Sequence, residues 1–361
     1  MQLYRQVGDK RNEPVALYNL GEAHYYLDPA RAQDYYEQAL SYWHLTGDRR
    51  YEAAVLSRVG IMIAERRGDL GQAIQYCGRA ERLSVEVNDR LGQMSSHYSL
   101  AHIHILQNDY LESRVHAERA LQLCGELGNQ SFAGETFGML GRIADQLGDY
   151  ASAFENHNRG LSILRELGER NLICQGLTAL GALSYHSGKP ENAIENCRRA
   201  LLLARETSNR TAQSQGLVIQ GHALREMGQL DEAADCYRQA LELAIDLDFP
   251  HLAMQVQTGL AAIAFARGNL VEAMPPMQDI LDYLETHALS TLDEIFWIFI
   301  SCYRILRAAS DPRALPTLQA AHTLLQKIAA GIDDPALRNS FLQNVRSNRE
   351  LLQAWETHLS P

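Results

Sequence analysis

The chain has 361 residues, of which 46% are hydrophobic and 21% are charged, a composition typical of a folded globular protein. Its 33 Lys and Arg residues against 44 Asp and Glu residues give a formal net charge of -11. Such a surface repels phosphate backbones, so direct contact with nucleic acid is not expected. The sequence has no apolar run of about 18 residues. It also has no apolar signal core near its start, so neither a membrane span nor a secretory leader is expected.

A self-similar motif with a step of 40 residues runs through most of the chain. It begins with a Gly or Asn followed by a polar residue, at positions 68, 108, 148, 188, 228 and 268. A small residue follows in register in every copy, as at Ala153 and Ala193, and a Leu-Gly pair or a close variant lies upstream, as at Leu140 and Gly141. Together with a first copy whose turn differs by one residue, the sequence contains seven clear units.

Each unit is predicted to be a pair of antiparallel helices. The Gly or Asn ends the first helix in the left-handed conformation, where a missing Cβ removes a steric penalty. The polar residue that follows caps the second helix by accepting from its free backbone N–H groups. A second turn closes each unit at Gly47, Asn88, Gly128, Gly168, Ser208 and Asp248. Stacked pairs bury one another's apolar faces, so the pattern predicts an all-α array.

The succession of Leu-Gly, Gly-Asp-Tyr, Ala and Ala-Leu resembles the tetratricopeptide repeat, and Gly148 to Ala153 is a close match to the start of that family's second helix. The usual period is about 34 residues, and the step of 40 lengthens both helices by most of a turn. This long form resembles the arrays of the maltose-regulon activator and the peptide-sensing Rap phosphatases. The resemblance implies a right-handed superhelix, an α-solenoid that serves as an adaptor or sensor.

The two ends depart from the repeat. Residues 3–9 match the end of a unit, so we expect a fragment or the tail of a longer protein. We expect the superhelix to cover residues 1–290, and residues 291–361 to form a divergent helical pair (about 291–308 and 312–330) and a C-terminal capping helix. That last helix is predicted over residues 336–358, with Asp334 as its N-cap and Pro335 at its first position.

The six cysteines form no CxxC pair, and Cys77 and Cys197 occupy the same position of the repeat. They are interpreted as small core residues of a protein in a reducing, cytoplasmic setting.

No motif of a catalytic site is present: the sequence has no Gly-rich phosphate loop, no HExxH and no GxSxG. His97, His102 and His104 are too poorly spaced on a helix to share a metal ion, so no metal or other cofactor is expected. Glu135, Arg142 and Asp145 lie within ten residues of one another on one predicted helix, where an ion-pair cluster or a ligand contact is more common than a catalytic trio. The chain is therefore predicted not to be an enzyme.

In the family that the repeat resembles, the first helix of each unit faces the concave side. Counting from Gly141 and its equivalents, the residues six and three before and one and four after are predicted to point into that groove. The partner-contacting residues predicted in this way are Tyr18, Tyr98, His102, Glu135, Arg142, Asp145, Gln175, Tyr185, Gln215, His222 and Arg225. Tyr, Arg and Gln suit the recognition of a peptide or protein segment; the alternative is an inert, solvated wall.

The main hypothesis is a non-enzymatic module that binds a protein or peptide segment in the concave groove. It would be the sensor or partner-docking region of a bacterial signalling or transcriptional regulator. The alternative is a stand-alone scaffold that assembles a multiprotein complex. An ATPase, cyclase or DNA-binding module upstream would distinguish the first from the second.

Overall fold

The computed structural model describes residues 12–25, 28–286 and 294–359. Helices and short turns make up these ranges, and no strand occurs within them, which confirms the predicted all-α class. The partial repeat expected at residues 3–9 and the boundary expected at residue 290 lie outside the described residues.

Seven consecutive helix pairs form the array, each packed against the next. The first helices are α1 (Glu13–His24), α3 (Arg49–Arg67), α5 (Arg90–Leu106), α7 (Gln130–Gln146), α9 (Arg170–His186), α11 (Arg210–Glu226) and α13 (Pro250–Ala266). The second helices are α2 (Pro29–Thr46), α4 (Leu70–Glu86), α6 (Tyr110–Leu127), α8 (Tyr150–Leu167), α10 (Pro190–Glu206) and α12 (Leu230–Asp246). In the seventh unit the second helix is divided into α14 (Leu270–Ala273) and α15 (Pro275–Thr286).

The turns of the repeat have the predicted conformation. The backbone φ angle is positive at Gly148 (72°) and also at the non-glycine positions Asn108 (60°) and Ser208 (55°). The side chain of Asp149 accepts a hydrogen bond from the backbone N–H of Ser152 at 3.1 Å, the capping contact expected at the start of a second helix. The 40-residue step thus encodes where each helix ends and the next begins.

Small residues lie where the two helices of a unit cross. Ala153 and Ala193 are completely buried, as predicted. At Gly221 a Cβ atom would lie 2.7 Å from the ring of Tyr237, so only glycine lets the second helix place its tyrosine against the first helix. All six cysteines are buried with free thiols. No described helix is both long and apolar enough to cross a membrane.

Four further helices follow the array: α16 (Ile295–Ala308), α17 (Ala314–Ala330), α18 (Pro335–Gln343) and α19 (Arg346–Leu359). The predicted pair and the N-cap are present, since Asp334 accepts from the backbone N–H of Ala336 at 2.8 Å. The prediction of one continuous helix over 336–358 is wrong. The hydroxyl of Tyr150 donates to the carbonyl oxygen of Asn344 at 3.2 Å, and the helix is interrupted at this residue.

The C-terminal helices pack against the array well away from its end. The apolar core that contains most of α16 also includes Ile105 and Leu147, and the ring of Phe341 on α18 lies 6.2 Å from that of Tyr110. The side chain of Asn344 reaches Gly148, in the turn between α7 and α8. The C-terminal segment therefore joins the seventh unit to the third and fourth units, and does more than cap the last repeat.

Candidate functional site

A groove of about 420 Å³ runs along the concave side of the array. Most of its lining comes from the first helices α3, α5, α7, α9, α11 and α13, because residues three or four apart on a helix point to one side. Glu294, immediately before α16, also lines the groove.

Seven of the eleven residues predicted to contact a partner line this groove. They come from four successive first helices and are Tyr98, His102, Glu135, Arg142, Asp145, Gln175 and Gln215. The rule of counting from the Leu-Gly pair therefore places the correct face of α5, α7, α9 and α11 towards the groove.

Tyr18 does not line the groove. Its ring packs against Tyr36 and Trp43, at centroid distances of 5.7 and 6.3 Å. Burial raises the pKa of the Tyr18 hydroxyl, which stays protonated. Tyr18 is thus part of the packing of the first unit.

The prediction that Tyr185, His222 and Arg225 lie open in the groove is wrong. Trp297 of α16 fills the space above them: its ring lies 4.5 Å from that of His222 and 5.3 Å from the guanidinium carbon of Arg225. Tyr185 stacks on His222 at 5.5 Å and is 8% exposed. Aromatic and cation–π contacts of this kind stabilise a buried cluster.

Burial disfavours the protonated form of His222 in this cluster. Burial lowers the pKa of its imidazole to about 4, with Arg225 acting in the same direction and Glu294 opposing it. The Tyr237 hydroxyl and Nδ1 of His222 share a hydrogen bond of 2.7 Å. The three side chains therefore hold α16 on the array instead of facing a ligand.

His186 links the array to the C-terminal segment. Its Nδ1 lies 2.8 Å from Oδ2 of Asp145, and its Nε2 lies 3.1 Å from Oε1 of Glu294. Burial alone would lower the pKa of His186, but the two carboxylates raise it well above 6.5. Burial alone would raise the pKa of Glu294, but the imidazoles of His222 and His186 lower it to about 2. The imidazolium thus bridges two carboxylates, one of which lies outside the repeats.

Two more ion pairs lie along the groove wall. Nε2 of His102 lies 3.1 Å from Oε1 of Glu65, and although burial opposes it, the His102 contact holds the pKa of that carboxyl below its usual value. Nearer the start of the array, Nε of Arg58 lies 2.9 Å from Oε1 of Glu22. Arg58 and Glu65 were not among the predicted residues, because the second unit, whose spacing differs by one residue, was left out of the count from the Leu-Gly pair.

Glu135 on α7 differs from these carboxylates. Among the described residues, no group forms a hydrogen bond or an ion pair with it. Burial raises its pKa to about 7; the charge of Arg58 opposes this increase, and those of Glu169 and Glu22 add to it. The predicted trio of Glu135, Arg142 and Asp145 is therefore not an ion-pair cluster, because Asp145 pairs with His186 instead.

The described residues include no group of three or more His, Cys, Asp or Glu side chains that could hold a metal ion. The groove thus offers aromatic surfaces, the guanidinium groups of Arg58 and Arg142, amides and carboxyl groups. Such an arrangement suits non-covalent binding of an extended segment that has both apolar and polar side chains.

Paired helices with small residues at their crossings and a polar concave groove define a tetratricopeptide-type superhelix. Residues 100–329 match the family model of the MalT-like TPR region. Since the match covers more than half of the sequence, the chain belongs to this family. No curated protein matches the sequence.

Solved structures have the same fold. A Rap protein complexed with competence and sporulation factor is 15% identical, with coverage of 98% of this chain and 99% of that one and a TM-score of 0.62. NprR in complex with its cognate peptide NprX is 13% identical, with coverage of 99% and 98% and a TM-score of 0.63. A signal transduction ATPase with numerous domains and a tetratricopeptide repeat sensor, from Pyrococcus horikoshii, is 15% identical, with a TM-score of 0.55. The match covers 92% of this chain and 50% of that one.

Proposed function

We propose that the chain is a non-enzymatic sensor module that binds an extended peptide or protein segment in its concave groove. The observation that carries this proposal is the continuous groove, in which polar and aromatic side chains from four successive first helices lie side by side. The solved structures of the Rap protein and NprR, which share the fold, contain a bound peptide or factor.

The module would act in the cytoplasm as part of a bacterial signalling or transcriptional regulator. Membership of the MalT-like family supports this role, as does the fold shared with the sensor of a signal transduction ATPase. An ATPase, cyclase or DNA-binding module in the full-length protein would convert peptide binding into a signal.

The experiment is selection of short random peptides displayed on phage against the immobilised protein, followed by affinity measurements on the enriched peptides by fluorescence anisotropy. Arg142→Glu reverses the charge of a groove residue and should weaken binding about tenfold or more. The matched control is Arg199→Glu on the outer helix α10, where the side chain is exposed. Binding that Arg199→Glu abolishes and Arg142→Glu preserves would place the ligand on the convex side and refute the proposal.

A further inference from the structure

The carboxylates that line the groove differ in how they are neutralised. Glu65 pairs with His102, and both Asp145 and Glu294 bind His186. Glu135 is the one carboxyl of the groove lining for which the described part of the chain provides no such partner. A half-buried carboxyl without a counter-charge is costly, so its surroundings favour the arrival of a cation.

A hollow lies next to Glu135. Gly138 follows it by three residues and therefore lies on the same face of α7. A Cβ atom added at Gly138 would meet no atom within 4 Å, whereas one added at Gly134 would lie 2.8 Å from Leu164. Gly134 is thus required for helix packing, but Gly138 is not, and its missing side chain leaves free space in the groove.

The guanidinium of Arg58, whose positive charge opposes the rise in the pKa of Glu135, is already engaged by another carboxylate. Arg58 forms two contacts with Glu22, at 2.9 and 3.0 Å, and its guanidinium lies 5.5 Å from the ring centre of Tyr25. Met139, on the next position of α7 after Gly138, also lines the groove and offers an apolar surface to an aliphatic stem. A charged acceptor, free space and an apolar wall therefore occur together.

We propose that Glu135, with the hollow left by Gly138, forms a subsite for one cationic side chain, Lys or Arg, of the segment bound in the groove. This inference rests on the proposed function and names the ligand chemistry at one position. The long stem occupies the space beside Gly138, and its ammonium or guanidinium group donates charge-assisted hydrogen bonds to the Glu135 carboxylate.

The test uses the peptides that the parent protein enriches from the random library. The Lys or Arg that they share is replaced by norleucine or citrulline, which keep the size and remove the charge. This replacement should weaken binding to the parent about tenfold or more, the usual effect of losing a hydrogen bond to a charged group. The same replacement should change binding to Glu135→Gln by less than about twofold, because that variant has already lost the charged partner.

A second variant tests the hollow. Gly138→Leu should fill it and weaken binding about tenfold or more, while helix propensity keeps or raises the melting temperature. The matched control is Gly125→Leu on α6, at an exposed position that also has no atom within 4 Å, and it should bind as the parent does.

Enriched peptides with no preference for Lys or Arg would overturn the subsite and leave the proposed function intact, provided that Arg142→Glu still weakens binding about tenfold or more. The subsite would also be overturned if replacing the shared Lys by norleucine weakened binding to Glu135→Gln as much as it weakens binding to the parent. If the parent enriches no peptide at all, the proposed function fails and the subsite fails with it.

Discussion

Nδ2 of Asn344 donates a hydrogen bond to the carbonyl oxygen of Gly148 at 3.2 Å, between residues separated by 196 positions in the sequence. The hydroxyl of Tyr150 donates to the carbonyl oxygen of the same asparagine. These contacts fix the C-terminal helices to a turn in the middle of the array. The superhelix therefore has a closing contact that nearest-neighbour packing of repeats would not provide.

Gly148→Ala should be more destabilising than Gly188→Ala. Both glycines have a left-handed backbone, with φ of 72° and 74°, so both changes should cost about 1 kcal/mol of unfolding free energy. At Gly148 the new Cβ would also lie 2.8 Å from the carbonyl oxygen of Ser340, whereas at Gly188 it meets nothing within 4 Å. We expect an excess cost of about 1–2 kcal/mol at Gly148 in urea denaturation. Equal costs would show that the closing contact is loose.

His186→Gln should remove the bridge between Asp145 and Glu294 and cost about 3 kcal/mol. The pKa of His186 is raised, so its contribution is complete below about pH 6.5 and is lost as the pH rises through the raised value. The pKa of Glu294 is lowered to about 2, so its contribution is present above about pH 4.5 and is lost as the pH falls. The difference in unfolding free energy between the parent and His186→Gln should therefore be largest between about pH 4.5 and about pH 6.5.

The control for this change is His44→Gln. His44 is 63% exposed, and the buried Glu52 carboxylate that it meets at 2.9 Å also pairs with Arg79, so losing the histidine should cost less than about 1 kcal/mol. Urea denaturation across the pH range measures both variants. A pH-independent loss for His186→Gln would mean that its imidazole contributes by packing and not by charge.

Glu135→Gln should be more stable than the parent at about pH 8 and similar to it at about pH 4. The folded-state pKa of Glu135 is raised to about 7, so ionisation disfavours the folded state as the pH rises. The gain should be about 1–3 kcal/mol. Glu155→Gln, at an exposed position of α8, is the control and should change stability by less than about 0.5 kcal/mol. A destabilised Glu135→Gln would indicate that the carboxylate has a structural partner.

Ala153→Leu should destabilise the protein by about 1–3 kcal/mol, because the alanine is fully buried where α8 packs and a larger side chain overfills the contact. Ala151→Leu lies on the same helix at an exposed position and should leave the melting temperature nearly unchanged. Ala193→Leu, at the equivalent buried position of the next unit, should be destabilising in the same way. Matching melting curves for the two leucine variants of α8 would contradict the register of the repeat.

The sequence was sufficient to predict the local structure of the array. Gly148, Asn108 and Ser208 adopt the left-handed conformation because each stands at a fixed position of the 40-residue step. Periodic positions determine the helix ends and the face of each first helix, and both depend only on neighbouring residues.

The burial of His222 and Arg225 could not be predicted in that way. They are covered by Trp297, whose helix has no repeat pattern and packs on units that are distant in sequence. The interruption at Asn344 has the same origin, because the hydrogen bond that accompanies it comes from Tyr150. Periodicity describes contacts between adjacent units, and these contacts connect units that are not adjacent.

The hydrogen bond between Gly148 and Asn344 has a consequence for how the gene can change. Open arrays gain and lose whole repeats readily, because each unit contacts only the units beside it. Between residues 150 and 340, one inserted or deleted unit would move Asn344 away from its partner turn. The C-terminal helices also pack on Tyr110 of the third unit. Duplication or loss of a repeat is therefore compatible with this protein before the third unit, while the number of units from there to the C-terminal helices is fixed.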